Sequence, residues 1–151
     1  MDNIDKKIIK ELLKEGRLSN QDLAERVSLS PSPCLRRVRA LEKKGIIQGY
    51  HAHVDQEKCG LPLNVFVFVK LEKPTQENIQ QFEQRVQTME GVSECFLTTG
   101  VYDYVLRLVS PSLQDYETFI RKELTCLPSI QSIESSFAFG QVKKQFDLPI
   151  R

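Results

Sequence analysis

Apolar residues recur at helical spacing through the first fifteen positions, where Ile4, Ile8, Leu12 and Leu13 share one side with Ile9 beside them, and Gly16 ends the run. A shorter period follows: Ser19 offers a hydroxyl cap, Asp22 sets a carboxylate at the positive end of the helix dipole, and Leu23, Ala24 and Val27 face one way. Ser28, Leu29 and Ser30 break that pattern for about three residues, the length of a helix-turn-helix turn. Ser30 and Pro31 then open a third helix, with proline at the first helical position, where a missing N–H costs nothing. Pro33 still lies in the first turn, and Gly45 is a suitable stop. At about 100° per residue, Cys34, Val38 and Leu41 face inward, with Leu35 at the edge, while Ser32, Arg36, Arg39, Ala40 and Lys43 face outward. The core of this three-helix head is expected to combine the first helix's apolar side with Leu18, Leu23, Val27, Val38 and Leu41.

Ile46 to Val54 reads as extended, interrupted by Gly49, and Cys59, Gly60, Leu61 and Pro62 make Asp55 to Leu63 prone to turn, so a linker is placed here. Val65 to Leu71 is a β-branched and aromatic strand between Pro62 and Pro74. Thr75 begins a helix with Ile79, Phe82, Val86 and Met89 on one face, ending at Gly91. Val92–Thr99 and Tyr104–Val109 read as strands; Ser112 opens a helix through Leu113, Tyr116, Phe119, Ile120 and Leu124 that Pro128 closes; Ile130–Phe139 is a fourth strand, and Val142–Ile150 is a candidate fifth. The order strand, helix, strand, strand, helix, strand predicts a ferredoxin-like βαββαβ domain. The chain is thus expected to be α+β, with a three-helix winged helix-turn-helix head and linker strand over residues 1–60 and a ferredoxin-like domain over 61–151. Both helices on one side leave the other face open, and Phe66, Phe68, Val105 and Phe137 or their strand neighbours must cover something, most simply a second subunit.

Charge adds a direction. The 151 residues carry a net +1, but residues 1–60 hold 12 Lys and Arg against 9 Asp and Glu, a net +3, leaving 9 against 11, a net −2, for the rest. Within Pro31–Lys44, Arg36, Arg37, Arg39, Lys43 and Lys44 oppose Glu42 alone. A basic helix after a short helix and a tight turn suits the major groove, where an arginine fork reads guanine and lysines neutralise phosphates. Ser30, Ser32, Arg36, Arg37, Arg39, Lys43 and Lys44 are the candidate contacts with double-stranded DNA.

Composition excludes other classes. With 40% apolar and 27% charged residues, the chain is neither disordered nor membrane-spanning, and its amphipathic start is not a signal segment, so a cytoplasmic protein is expected. Cys34, Cys59, Cys95 and Cys126 form no C-x-x-C pair and read as buried reduced thiols; His51 and His53 lack a third metal ligand and read as exposed polar positions. No catalytic pair and no phosphate-cradling loop occurs, so no cofactor, metal or reaction is expected.

The stretch from Thr98 to Tyr104 has two readings. Backbone N–H groups around Gly100 with Thr98 or Thr99 complement a carboxylate, and Asp103 an ammonium, together the two ends of an amino acid. The same residues equally suit a hairpin turn whose glycine permits φ > 0 and whose aspartate bonds its own backbone.

The stretch LSPSPCLRRVRALEKKGIIQGY resembles the signature of the leucine-responsive and asparagine-synthetase regulators (Lrp/AsnC), the feast/famine transcription regulators, and the likeness extends from about Asp2 to about Ile150. The resemblance implies a bacterial or archaeal, nucleoid-associated regulator whose C-terminal domain dimerises through its sheet, with dimers assembling further, commonly to octamers. It also implies that Gly100, Tyr102, Asp103 and Tyr104 form an effector loop for a small molecule, usually an amino acid. Ser135 and Ser136 are candidates for the wall supplied by another dimer. An architectural DNA-binding protein without an effector is the alternative, and an enzyme on this fold a distant third.

Overall fold

The structure, a computed structural model, describes residues 1–127, 129–143 and 150. Two compact units divide between His53 and Val54. The head contains α1 (Asn3–Lys14), α2 (Asn20–Arg26) and α3 (Pro31–Lys43). Asp2 caps α1 by accepting from the backbone N–H groups of Ile4 and Asp5, while Asp5 returns a bond to the Asp2 N–H and completes a capping box. Ser19 caps α2 by accepting from the Asp22 N–H. Ser30 caps α3 without a side-chain hydrogen bond, and proline starts that helix as the sequence leads one to expect. Ser28 turns the chain between α2 and α3 at φ 58°, an αL conformation uncommon for a residue with a Cβ. Ile8, Leu23, Ala24, Val27, Cys34 and Leu41 are buried together, with Ile4, Leu18, Leu29, Val38 and Ile47 packed around them.

The expected linker strand is absent: among the described residues, Ile46–Val54 joins no ladder. Extended backbone becomes a strand only when another strand takes up its N–H and C=O groups, and among the described residues no strand pairs with it. The turn that follows belongs to the second unit, where Gln56 bonds the Leu61 carbonyl and approaches the Arg107 guanidinium at 3.4 Å.

The second unit runs β1 (Leu63–Leu71), α4 (Gln76–Val86), β2 (Val92–Leu97), β3 (Tyr104–Ser110), α5 (Leu113–Phe119) and β4 (Ile130–Phe137). The sheet order is β2-β3-β1-β4 and every neighbouring pair is antiparallel, which is the ferredoxin-like arrangement. Val65, Val67, Val69 and Leu71 of β1 are buried with Leu106 and Leu108 of β3 and with Phe82, Val86, Tyr116 and Leu124 from the helical side. Each of these aliphatic side chains stabilises the fold by roughly 1.5–3 kcal/mol relative to exposure. The alternate residues, Phe66 and Phe68 on β1 with Val105 and Arg107 opposite them on β3, face the open side.

Several expectations are corrected. Phe137 pairs with Val65 and packs edge-on against Tyr116 at 5.2 Å, so it lies on the helical side rather than the open one. The helix after Ser112 leaves α geometry at Ile120 and continues as one wide π turn through Leu124. Only Cys34 of the four free cysteines is buried; Cys59, Cys95 and Cys126 are exposed. Pro128 and the candidate strand at Val142–Ile150 involve residues outside the described set, as residues 128 and 144–149 are not described.

Candidate functional site

Two sites come from two units. On α3, Ser30, Ser32, Arg36, Arg39, Lys43 and Lys44 are all exposed. The apolar stripe Cys34 and Leu41 anchors the opposite side, which leaves these groups directed outward by helical geometry alone. Tyr50, which sequence reasoning passed over, donates its hydroxyl to Glu42 at 3.0 Å and so engages the acid on this helix.

Arg37 is placed differently. One of its guanidinium nitrogens, Nη1, lies 2.7 Å from Asp2 Oδ2 and 2.8 Å from Asp5 Oδ1, and the side chain is half-buried against α1. About 100° around the helix from Arg36, it sits at the rim of the packed face. The Asp5 N–H, and then the Arg37 guanidinium, hold the Asp2 carboxyl below the usual carboxylate range. The start of α3 has its own polar anchor, because Asn20 Nδ2 donates to the Pro31 carbonyl at 2.9 Å.

The loop between β2 and β3 combines both readings offered by its sequence. Thr98 donates its hydroxyl to the Tyr102 carbonyl at 2.9 Å and its N–H to the Asp103 carbonyl at 2.8 Å, closing a turn in which exposed Gly100 stands at φ 130°. Thr99 and Gly100 are exposed, and a Cβ at Gly100 would meet nothing, so the glycine is required by conformation and not by crowding. Tyr102 lies over Phe68, their ring centres 5.5 Å apart, and donates its hydroxyl to Glu134 on β4, a bond that pushes the phenol above its ordinary range.

Asp103 does not simply present a free carboxylate. Its Oδ2 accepts from the Leu71 N–H at 2.8 Å, its Oδ1 is 3.4 Å from Lys70 Nζ, and its own N–H donates to the Val69 carbonyl at 2.9 Å. Tyr104, the next residue, points to the opposite face because strand side chains alternate. It is fully buried, stacks on Phe82 at 4.5 Å and donates its hydroxyl to Glu83 at 2.9 Å. Burial first, then Glu83, drives its pKa far above the usual tyrosine value. It underpins the loop from the core.

Ser135 and Ser136 likewise separate. Ser136 stands opposite Phe66 on the open face, whereas Ser135 stands opposite Val67 and its hydroxyl is bonded to that of Tyr116 on the helical side. The structure therefore brings Tyr102, Asp103, Lys70, Phe68 and Glu134 together and leaves Tyr104 and Ser135 behind the sheet. Lys70 and Glu134 escaped sequence reasoning because their nearness to the loop depends on strand register, β1 against β3 for Lys70 and β1 against β4 for Glu134, which no local pattern encodes. Among the described residues, no group of three His, Cys, Asp or Glu could hold a metal, and no helix is long and apolar enough to cross a membrane.

Two family models match separate parts of the chain. The family model "Winged helix-turn-helix DNA-binding" matches residues 1–48, and the model "Lrp/AsnC ligand binding domain" matches residues 64–148. The Bkd operon transcriptional regulator of Pseudomonas aeruginosa is 45% identical over 94% of this chain and 93% of its own length. The leucine-responsive regulatory protein of Escherichia coli is 38% identical over 100% of this chain and 92% of its own. Among solved structures, a transcriptional regulator from Neisseria meningitidis in complex with L-methionine superposes with a TM-score of 0.94 at 35% identity, covering 99% of this chain and 96% of that one.

Proposed function

Because the chain belongs to the Lrp/AsnC family of transcriptional regulators, we propose that it reads DNA through the outward face of α3 and answers to an amino acid bound at the loop Thr98–Asp103. The observation that carries the first half is the exposed row of Arg36, Arg39, Lys43 and Lys44 on a helix whose opposite side is fixed in a compact core. Arginines there can fork onto base edges, and lysines can neutralise phosphates, so affinity is salt-dependent while sequence preference follows the arginines.

The effector reading rests on paired opposite charges beside open backbone. Lys70 and the N–H groups around Gly100 complement a carboxylate, while Asp103 and Glu134 complement an ammonium. The methionine complex of the Neisseria meningitidis regulator supports an amino acid as the class. The open sheet face, with Phe66 38% and Phe96 56% exposed in the single chain, is the surface on which two copies associate, and a dimer presents two recognition helices to a pseudo-palindromic site. Further assembly of dimers brings Ser136 of another copy within reach of the loop. The protein acts in the cytoplasm on the nucleoid and performs no reaction.

Footprinting on promoter DNA with and without each of the twenty amino acids tests this. Discrete protected sites that change with one amino acid are expected. Uniform coating of DNA, unchanged by all twenty, would replace the regulator by an architectural protein. Calorimetry with the responding amino acid then locates the site, since binding must disappear when Lys70 and Glu134 are replaced together.

A further inference from the structure

Arg37 stands in the basic run of α3, yet it faces α1. Its Nη1 is shared by Asp2 Oδ2 and Asp5 Oδ1, at 2.7 and 2.8 Å. Each carboxylate has a second task. Asp2 Oδ1 accepts from the Ile4 and Asp5 N–H groups, and Asp5 Oδ2 accepts from the Asp2 N–H, so the capping box immobilises both acids before Arg37 meets them. The apolar core beneath, with Ile8 against Cys34 and Leu41, opposes separation of the helices but is non-directional and leaves sliding or rolling of α3 weakly specified. Directional bonds supply what it lacks. Asn20 holds the Pro31 carbonyl, and Arg37 is held six residues later, about 9 Å along the axis, so two polar anchors define the helix axis.

We propose that Arg37 is a positioning residue for DNA reading: its bonds to Asp2 and Asp5 set the pose in which α3 offers Arg36 and Arg39 to the bases. This rests on the DNA-reading role given above to α3. It goes against simple electrostatics, because Asp2 and Asp5 add negative charge to a surface that approaches phosphates. Removing that charge strengthens non-specific attraction, whereas losing the pose weakens base recognition, and the two effects have opposite signs.

The experiment uses the full chain and a duplex it selects from a random pool, with a scrambled duplex of equal length as control, across a salt series. The variants are Asp2→Asn with Asp5→Asn, Arg37→Ala, and all three together; Asn is chosen because it caps a helix about as well as Asp. For the double Asn variant, the scrambled duplex is expected to bind as well or better, while the ratio of selected to scrambled affinity falls about tenfold or more. Arg37→Ala is expected to lower the ratio equally without changing the salt slope on scrambled DNA, and the triple variant is expected to do no further damage. Tighter binding of both duplexes with the ratio intact in the double Asn variant would overturn the proposal. So would a salt slope reduced by about one on both duplexes in Arg37→Ala, since that identifies a phosphate contact. Amide exchange on the same proteins gives an arm without DNA: α3 should lose protection in both variants while the first turn of α1, whose cap remains, keeps its own, and unchanged α3 protection overturns the proposal. If the wild type itself prefers no duplex, the DNA-reading role fails first, visibly and separately, while amide exchange still decides whether the anchor exists.

Discussion

The carboxylate of Asp103 accepts the backbone N–H of Leu71 at 2.8 Å, tying the loop after β2 to the end of the central strand. A residue chosen by its loop as an ammonium partner is thus also a structural acceptor. Asp103→Ala leaves the Leu71 N–H without that partner and is expected to destabilise the chain by about 1–3 kcal/mol. Asp103→Asn keeps an acceptor oxygen and removes the charge. Urea unfolding should rank Ala well below Asn, while both should lose the amino-acid response in calorimetry. An Asn variant that binds the effector normally would remove Asp103 from the site.

On DNA, the exposed arginines and lysines separate by effect. Arg36→Ala or Arg39→Ala is expected to cost about 1–3 kcal/mol on a selected duplex and little on a scrambled one. Lys43→Ala should weaken both alike and shallow the salt slope. Equal losses on both duplexes for all three would deny the arginines a base-reading role.

Tyr104 makes the fold sensitive to alkali. Its folded pKa is raised by burial and by Glu83, so below about pH 10 folded and unfolded chains both hold the proton and its stabilising contribution is complete. As the pH rises beyond that range the unfolded chain loses the proton first, and stability falls. Urea midpoints measured from about pH 8 to about pH 11 should decline, and Tyr104→Phe should flatten part of the decline. Tyr50, Tyr102 and Tyr116, with the Cys34 and Cys95 thiols, are shifted in the same direction and add to the decline.

The proposed association through the open sheet face predicts a further outcome. Phe66→Asp places a charge in the middle of that face without touching the core, because Phe66 points away from Val65 and Val67. The variant is expected to fold, to elute as a monomer in light scattering, and to lose most operator affinity, since one head presents one recognition helix. A folded monomeric variant that retains full affinity would show that the heads act singly.

The head was legible in the sequence because each of its signals is local. Asp22 three residues after Ser19, proline after Ser30 and glycine at position 45 each mark a helix boundary by chemistry that acts within one turn. The sheet was legible as far as alternation reaches, and alternation correctly gives Phe66 and Phe68 one face and Val65, Val67 and Val69 the other. Alternation fails for Phe137, because a strand's phase relative to its neighbour is decided by register, and β4 pairs with β1 so that Phe137 meets Val65. Arg37 misled for a different reason. A basic run reads as one charged stripe, whereas the helix divides it every 100° or so, and the acids that claim Arg37 lie more than thirty residues away. The closeness of Lys70 and Glu134 to the loop is non-local in the same sense.

The alternation along β1 also separates two kinds of evolutionary freedom. Its odd-numbered residues are held by the core, so change there is limited by folding. Of its even-numbered residues, Phe68 and Lys70 also border the loop at Tyr102 and Asp103, but Phe66 contributes little to that core and can vary with only the proposed association surface to satisfy. A cell that carries several such chains can therefore keep them from mixing by altering the outward row of one strand, with no cost to the scaffold they share. Lineages of this fold should then diverge in partner choice faster than in architecture, and exchanging the outward row of β1 and its β3 neighbours between two paralogues should exchange which copies assemble.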